Sequence, residues 1–288
     1  MCRLFGFRSV ISSQVHRSLV SADNAMMRQS EMHPDGWGVA YYVEGVPHVI
    51  KSASTAVSDT LFRRVSGIVA SETVVAHLRK ATVGNKSILN SHPFQYGSWI
   101  FAHNGQIPNF ENYREELLAS VSPIFRRFVL GDTDSEVIFY LLMSHMARRI
   151  DVHRKGAAIE ELTEAIVETV DQIHKVTGLN CLTSGKEQEF YLSFLLTNGH
   201  VMLAHQGGKE LYYSTYKLCC PERESCPSFS KVCEAPAVHN GFVNHMIVSS
   251  EPLQGENVWL EMMPGQIVGV DWRMQLQVFQ QSAALVAQ

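Results

Sequence analysis

Apolar and polar positions recur with two different periods along the chain. Residues 1–7 open it with a short apolar strand. Residues 37–42 are again strand-like and close on Glu44-Gly45, after which residues 46–51 resume an extended pattern, so a hairpin is predicted. Residues 73–78 and 98–102 are two more short runs rich in aromatic and β-branched side chains. The period then changes. Asp134-Ser135 offers an N-cap before Glu136 and the apolar run 137–143. Ile159, Leu162, Ile166, Val170 and Ile173 fall at helical spacing, predicting an amphipathic helix that ends near Gly178. Strand patterns return at 190–196 and 200–205, on either side of the hairpin signal Asn198-Gly199, and again at 246–249, 266–270 and 276–279.

Strands, then helices, then strands predict an α+β fold with largely antiparallel sheets. No Pro/Gly/Ser-rich linker, internal repeat or low-complexity stretch divides the sequence, so residues 1–288 read as one domain. With 288 residues, 45% hydrophobic and 18% charged, the composition is that of an ordinary globular protein with ample core. A net charge of −4 supplies no basic field for nucleic acid and no polybasic segment for a membrane. The longest apolar stretch, 137–147, is interrupted by Ser144 and His145 and is too short to span a bilayer. Arg3 and Arg8 are not followed by an apolar signal-peptide core. Six cysteines without a secretion signal fit a reducing, cytoplasmic setting better than a disulfide framework.

The candidate chemistry begins at Cys2. If Met1 is removed, one residue carries both a thiol and a free α-amine, whose ordinary pKa values of about 8.5 and 7.7–8.0 place neither far from its working form at neutral pH. The thiolate attacks, and an adjacent basic nitrogen raises its share. Four motifs follow. In His33-Pro34-Asp35-Gly36-Trp37-Gly38, two glycines surround a tryptophan where a strand begins, permitting close approach of backbone or ligand. In the run from Ala76 through Arg79 and Thr82 to Gly84, an arginine at a strand end offers a planar fork for a carboxylate. Asn90-Ser91-His92-Pro93 is followed by His103-Asn104-Gly105, whose amide side chain and adjacent backbone N–H could meet a developing oxyanion. Gly131-Asp132-Thr133-Asp134 opens the long helix; N-capping occupies one aspartate and leaves a second carboxylate for an ammonium group. Taken singly, each motif is also an ordinary turn, a buried tryptophan, a surface arginine or a helix cap.

In this order behind an N-terminal Cys, the motifs resemble those of the class II glutamine amidotransferases, a branch of the N-terminal-nucleophile hydrolases. The chain is most similar to their short stand-alone members, which begin Met-Cys-Arg-Leu-Phe-Gly. The likeness is strong over residues 2–140 and weaker to Val248-Ser249-Ser250-Glu251-Pro252-Leu253. It implies a four-layer αββα sandwich, with two antiparallel sheets between helix layers. It implies Cys2 as nucleophile with its own α-amine as base, and Asn104 with the Gly105 N–H as oxyanion hole. Arg79 would hold the substrate's α-carboxylate and Asp134 its α-ammonium, while Thr82, His92, Gly36 and Trp37 would lie near the substrate. Synthase-linked members carry Trp and His where this chain has Lys80 and Val83, positions that close the site over glutamine and lead to the ammonia route.

The implied reaction opens the γ-glutamyl amide of glutamine or a related γ-glutamyl compound through a thioester, with no cofactor and no metal. Two further readings stay open: an ammonia-supplying subunit for a separate synthase chain, and a non-catalytic module that binds glutamine-type ligands. His103, adjacent to Asn104, points to the opposite strand face; His77 could share a face with Arg79, and both read as core histidines. Cys219, Cys220, Cys226 and Cys233 match no common zinc spacing, and Pro221, Pro227 and Ser228 suggest an irregular loop. Cys181 reads as a packing residue.

Overall fold

The computed structural model describes residues 2–15, 17–22, 24–183, 185–236 and 241–280. Fourteen strands form among them: β1 (Arg3–Gln14), β2 (Trp37–Val43), β3 (Val46–Ser52), β4 (Ala70–Leu78), β5 (Phe94–Tyr96), β6 (Trp99–Gln106), β7 (Tyr191–Thr197), β8 (Met202–His205), β9 (Tyr212–Ser214), β10 (Gly241–Phe242), β11 (His245–Ser249), β12 (Leu260–Glu261), β13 (Gln266–Val270) and β14 (Gln275–Gln280). The principal helices are α1 (Met26–Gln29), α2 (Thr60–Ile68), α3 (Arg114–Ser120), α4 (Pro123–Arg126), α5 (Asp134–Arg149) and α6 (Ile159–Thr177). The strands make two seven-stranded sheets, ordered β12-β9-β11-β1-β4-β2-β3 and β10-β14-β13-β8-β7-β6-β5, with every neighbouring pair antiparallel.

Strand periodicity sorts the apolar side chains into three buried layers. Leu4, Ala40, Val75 and Val248 of the first sheet meet Ile100, Ala102, Leu195 and Met202 of the second, which makes the sheet-on-sheet core. Their alternates Phe5, Trp37, Val74 and Ile247 face outward onto Leu19, Met26, Phe62 and Val65. On the other side, Phe101, Phe194 and Leu203 pack against Phe139, Leu142, Leu162 and Ile166 of α5 and α6. Helices, sheet, sheet, helices: this is the αββα sandwich, an α+β fold. Gly6 marks where the sheets come close, since a Cβ there would stand 2.9 Å from Leu195 Cδ1.

The predicted hairpin over Glu44-Gly45 forms, with Trp37 opposite Ser52 and Val43 opposite Val46. The α6 helix ends at Gly178 in the left-handed conformation, φ 67°. Three boundaries differ from the sequence reading. The first strand runs twelve residues, because register with β4 continues past a shift between Arg8 and Ser13 into a stretch without apolar alternation. The Asn198-Gly199 connection spans residues 198–201 rather than 197–199, because Asn198 Oδ1 accepts from the N–H groups of His200 and Val201, both at 3.0 Å, and delays pairing to Met202. The α5 cap is Thr133, not Asp134-Ser135. Thr133 has extended φ/ψ of −88° and 147°, and its Oγ1 accepts from Glu136 N at 3.3 Å. Neither aspartate is consumed as a cap.

Candidate active site

One end of the sandwich gathers residues far apart in sequence. Arg3 pairs with Leu78, so Cys2, just before β1, lies beside Arg79 and Lys80, just after β4. Trp37 also pairs with Leu78, which brings Gly36 to Arg79: Arg79 N–H donates to Gly36 O at 2.8 Å, and Asp35 N–H donates to Arg79 O at 3.1 Å. The end of β6 presents Asn104 and Gly105, and α5 begins alongside at Asp134. Cys2, Arg79, Thr82, His92, His103, Gly105 and Asp134 line a single narrow cleft, with about 20 Å³ open to a water-sized guest.

The Cys2 thiol is buried. Its Sγ donates to Lys80 O at 3.5 Å and accepts from Lys80 N–H at 3.4 Å. Burial pushes the thiol pKa up, against the opposing pull of the Lys80 N–H and the Arg79 charge, so the resting sulfur is protonated and needs a base to become a nucleophile. Arg79 is buried as well, and burial lowers its pKa while Cys2, Asp35 and Asp134 oppose that shift. Its guanidinium donates to Val83 O and Asn85 O, both at 3.0 Å, and to Gly84 O at 3.2 Å. With five N–H donors on a fixed fork, it shapes the loop over the cleft and keeps capacity for a ligand.

Asp134 is similarly committed in part. Its Oδ2 accepts from Ile107 N–H at 2.7 Å, tying the end of β6 to α5, and its Oδ1 accepts from Ser135 N–H at 2.7 Å. Asn104 is completely buried on the sheet-sheet side; its Nδ2 donates to Ser250 Oγ at 3.3 Å, while its Oδ1 has no partner among the described residues. Gly105 must be glycine: a Cβ there would stand 2.0 Å from Tyr191 O and 2.6 Å from His103 Nε2.

The histidines are three buried, neutral rings. His103 Nε2 lies 3.0 Å from Tyr191 O, a pure acceptor, so that nitrogen carries the proton and Nδ1 accepts from Ser135 Oγ at 2.9 Å. His77 Nε2 donates to His103 O at 3.1 Å, and burial drives its pKa down to about 3. His92 lies against His77 with centroids 4.1 Å apart and the rings tilted by 35°; neither of its ring nitrogens has a partner among the described residues. His103 therefore does point away from Asn104, as strand alternation requires, yet it also forms a wall of the cleft.

Two sequence-derived positions fall elsewhere. Trp37 is fully buried in the outer core, edge-on to Phe62 at 5.0 Å with Nε1 donating to Asp59 Oδ2 at 3.0 Å, so its side chain does not reach the cleft. Strand alternation turns it to the helix-covered face. Gly36 serves through its backbone, by fixing Arg79; its φ of 139° and the 2.8 Å approach of Ser52 O to a would-be Cβ explain the glycine. Thr82 is exposed at the rim.

Three positioning residues carried no assigned role in the sequence. Ser250 accepts from Leu4 N–H at 2.8 Å and meets Asn104, joining β1 to β6 behind the amide. Asp35 accepts from Ala81 N–H at 2.9 Å and pairs with Lys86; burial alone would raise its pKa, but Lys86 and the Ala81 N–H hold it below the ordinary value. Asn90 accepts from Asp132 N–H at 2.9 Å and donates to Asn85 O at 3.0 Å, clamping the two loops that border the cleft. Each sits inside a motif already conspicuous, which was the available signal. Among the described residues no group of three or more His, Cys, Asp or Glu is arranged to hold a metal, and no helix is long and apolar enough to cross a membrane.

The sequence profile of the class-II glutamine amidotransferases matches residues 1–283. An uncharacterised protein of Methanocaldococcus jannaschii, MJ1515, is 32% identical over 196 residues, 66% of this chain and 50% of that protein. The γ-glutamyl-hercynylcysteine sulfoxide hydrolase of Mycobacterium tuberculosis is 36% identical over 77 residues, 26% of this chain and 33% of the hydrolase. Among solved structures, a glutamine aminotransferase class-II domain protein from Silicibacter pomeroyi superposes with a TM-score of 0.61 at 22% identity, covering 98% of this chain and 100% of that one. The chain matches between 50% and 63% of the length of the first three curated relatives.

Proposed function

This chain belongs to the class-II glutamine amidotransferases, and we propose that it cleaves the γ-glutamyl amide of glutamine or a related γ-glutamyl compound through Cys2. The observation that carries the reading is the convergence of a buried thiol, a buried arginine, a buried helix-start carboxylate and Gly105 at one cleft, with Asn104 buried beside Gly105 in the same strand end.

In this reading, removal of Met1 frees the α-amine of Cys2. Residue 1 itself lies outside the described residues. The amine takes the thiol proton, the sulfur bonds to the γ-carbonyl carbon, and the oxyanion meets Asn104 Nδ2 and the Gly105 N–H. The C–N bond then breaks and the amine hands its proton to the leaving nitrogen. Water, deprotonated by the same amine, cleaves the thioester to release glutamate and restore the thiol. Arg79 and Asp134 orient the substrate's α-carboxylate and α-ammonium by charge-assisted hydrogen bonds. The loop of residues 81–85 borders the cleft and is tied down by Arg79, which donates to the Val83, Gly84 and Asn85 carbonyls, and by Asp35, which accepts from Ala81 N–H. The relative named as a hydrolase of a γ-glutamyl compound supports a substrate larger than glutamine.

The test pairs intact-mass measurement with a glutaminase assay, followed by a panel of γ-glutamyl amides and peptides. Glutamate release that requires Cys2 at the mature N-terminus is expected. Turnover at full rate by protein that retains Met1 would overturn the N-terminal-amine mechanism.

A further inference from the structure

The far end of β1 borders a second cavity, of about 230 Å³, on the outer face of the first sheet. Its floor includes Phe7 and Ile247, and its roof is the irregular segment that carries Cys220, Cys226 and Cys233. Two of its wall residues hold buried polar atoms without a hydrogen-bond partner among the described residues: His245 Nε2, in a residue only 8% exposed, and Asn257 Oδ1. Lys217, half-buried on the same wall, makes no side-chain hydrogen bond or ion pair among the described residues. Buried polar groups are ordinarily satisfied, so unpaired ones converging on a cavity mark a place where a ligand supplies the partners.

We propose that this cavity binds a free α-amino acid with an apolar side chain. Lys217 and the His245 Nε2–H meet the carboxylate. Asn257 Oδ1 accepts from the ammonium group, with Glu256 at the same wall supplying negative charge. Phe7, Ile247 and the polarizable thiols receive the side chain. The volume lies just below the 300 Å³ at which small-molecule pockets ordinarily begin, which suits an amino acid rather than a nucleotide. Burial and the neighbouring Lys217 charge lower the His245 pKa to about 4, so the ring is neutral near pH 7 and does not repel an ammonium. The thiols serve as wall atoms, since no metal-holding group occurs among the described residues.

The experiment is calorimetry on full-length Cys2→Ala protein with leucine, methionine and phenylalanine, and with their amides, which lack the carboxylate. At least one free amino acid binds, its amide binds about tenfold or more weakly, and Lys217→Ala weakens the free amino acid by a similar factor. Arg79→Ala leaves that affinity unchanged, which separates this cavity from the Cys2 cleft. Absence of binding by all three overturns the proposal, as does affinity indifferent to Lys217→Ala. Affinity lost in Arg79→Ala instead places the ligand in the cleft and also overturns it. Because Lys217 is half-buried, its truncation leaves the fold intact, and an unchanged melting temperature in that variant verifies this.

Discussion

The two ends of β1 solve opposite problems. At its start, Cys2 sits in a cleft with about 20 Å³ of open space, where the buried side chains of Arg79 and Asp134 are tied to backbone partners. At its far end, a cavity of about 230 Å³ lies under a loop with little regular structure, and two of its wall atoms, His245 Nε2 and Asn257 Oδ1, have no partner among the described residues. The first end is built for precision: Arg79, Asp134 and His103 are each held by two or more hydrogen bonds before any substrate arrives. Side chains fixed in advance cost no reorganisation when a ligand binds or reacts. The second end is built for occupancy. Substitutions at the first should alter rate, and substitutions at the second should alter ligand affinity and leave rate alone.

The largest expected effect tests the first half of that contrast. Cys2→Ala removes the proposed nucleophile and should abolish turnover, while a glutamine analogue still binds and the melting temperature stays close to the parent value. Calorimetry and a glutaminase assay on the same preparation decide it. Retained hydrolysis would end the thiol mechanism.

Next come the two oxyanion candidates, which should fail differently. Asn104→Ala is expected to lower kcat by about 10²–10³ with little change in KM. Gly105→Ala should also destabilise the protein, because the new methyl meets a backbone oxygen at 2.0 Å, and overpacking costs about 1–3 kcal/mol or more. Gly156, where a Cβ meets nothing within 4 Å, is the control: Gly156→Ala should leave both rate and melting temperature essentially unchanged.

The contrast also explains what was legible in the sequence. Cys2, Arg79 and Asp134, which the structure brings to one cleft, each stand at the boundary of a patterned element, and the order of their motifs behind Cys2 is what singles them out. Trp37 falls outside the cleft because a motif gives proximity in sequence, whereas strand alternation turns its ring to the helix-covered face. Thr133 is not distinguishable as the α5 cap in the sequence because three flanking residues are also good caps, and only the backbone angles choose among them. Ser250 acts through a contact 146 residues away in sequence, which no local pattern encodes. The far cavity was illegible for the same reason: its roof has no period, and its cysteines match no metal spacing.

A third prediction sets two cysteines against each other. Cys2 is buried with its pKa raised by burial, whereas Cys219 is exposed. A raised thiol pKa means that the thiolate fraction at neutral pH falls and recovers only as pH rises. Iodoacetamide labelling followed by mass spectrometry should therefore modify Cys219 first near pH 7, with Cys2 gaining on it in alkaline solution. Preferential labelling of Cys2 at neutral pH would show that its thiolate is stabilised beyond what Lys80 and Arg79 provide.

The smallest effect is the sharpest test of positioning. Ser250→Ala removes the hydroxyl that holds Asn104 Nδ2 at 3.3 Å and accepts from Leu4 N–H at 2.8 Å. One neutral hydrogen bond contributes about 0.5–1.5 kcal/mol, so under the proposed oxyanion role of Asn104 a loss of up to about tenfold is expected, confined to kcat. At the other end, Asn244 donates to Cys233 Sγ at 2.8 Å and to Ser230 Oγ at 3.0 Å, pinning the cavity roof. Asn244→Ala should loosen that roof by a comparable energy, measurable as faster amide exchange in the loop, with kcat and KM for the γ-glutamyl substrate unaltered. Equal kinetic effects from the two variants would mean that the ends of β1 are energetically coupled, and the division between a preorganised cleft and an independent cavity would fail.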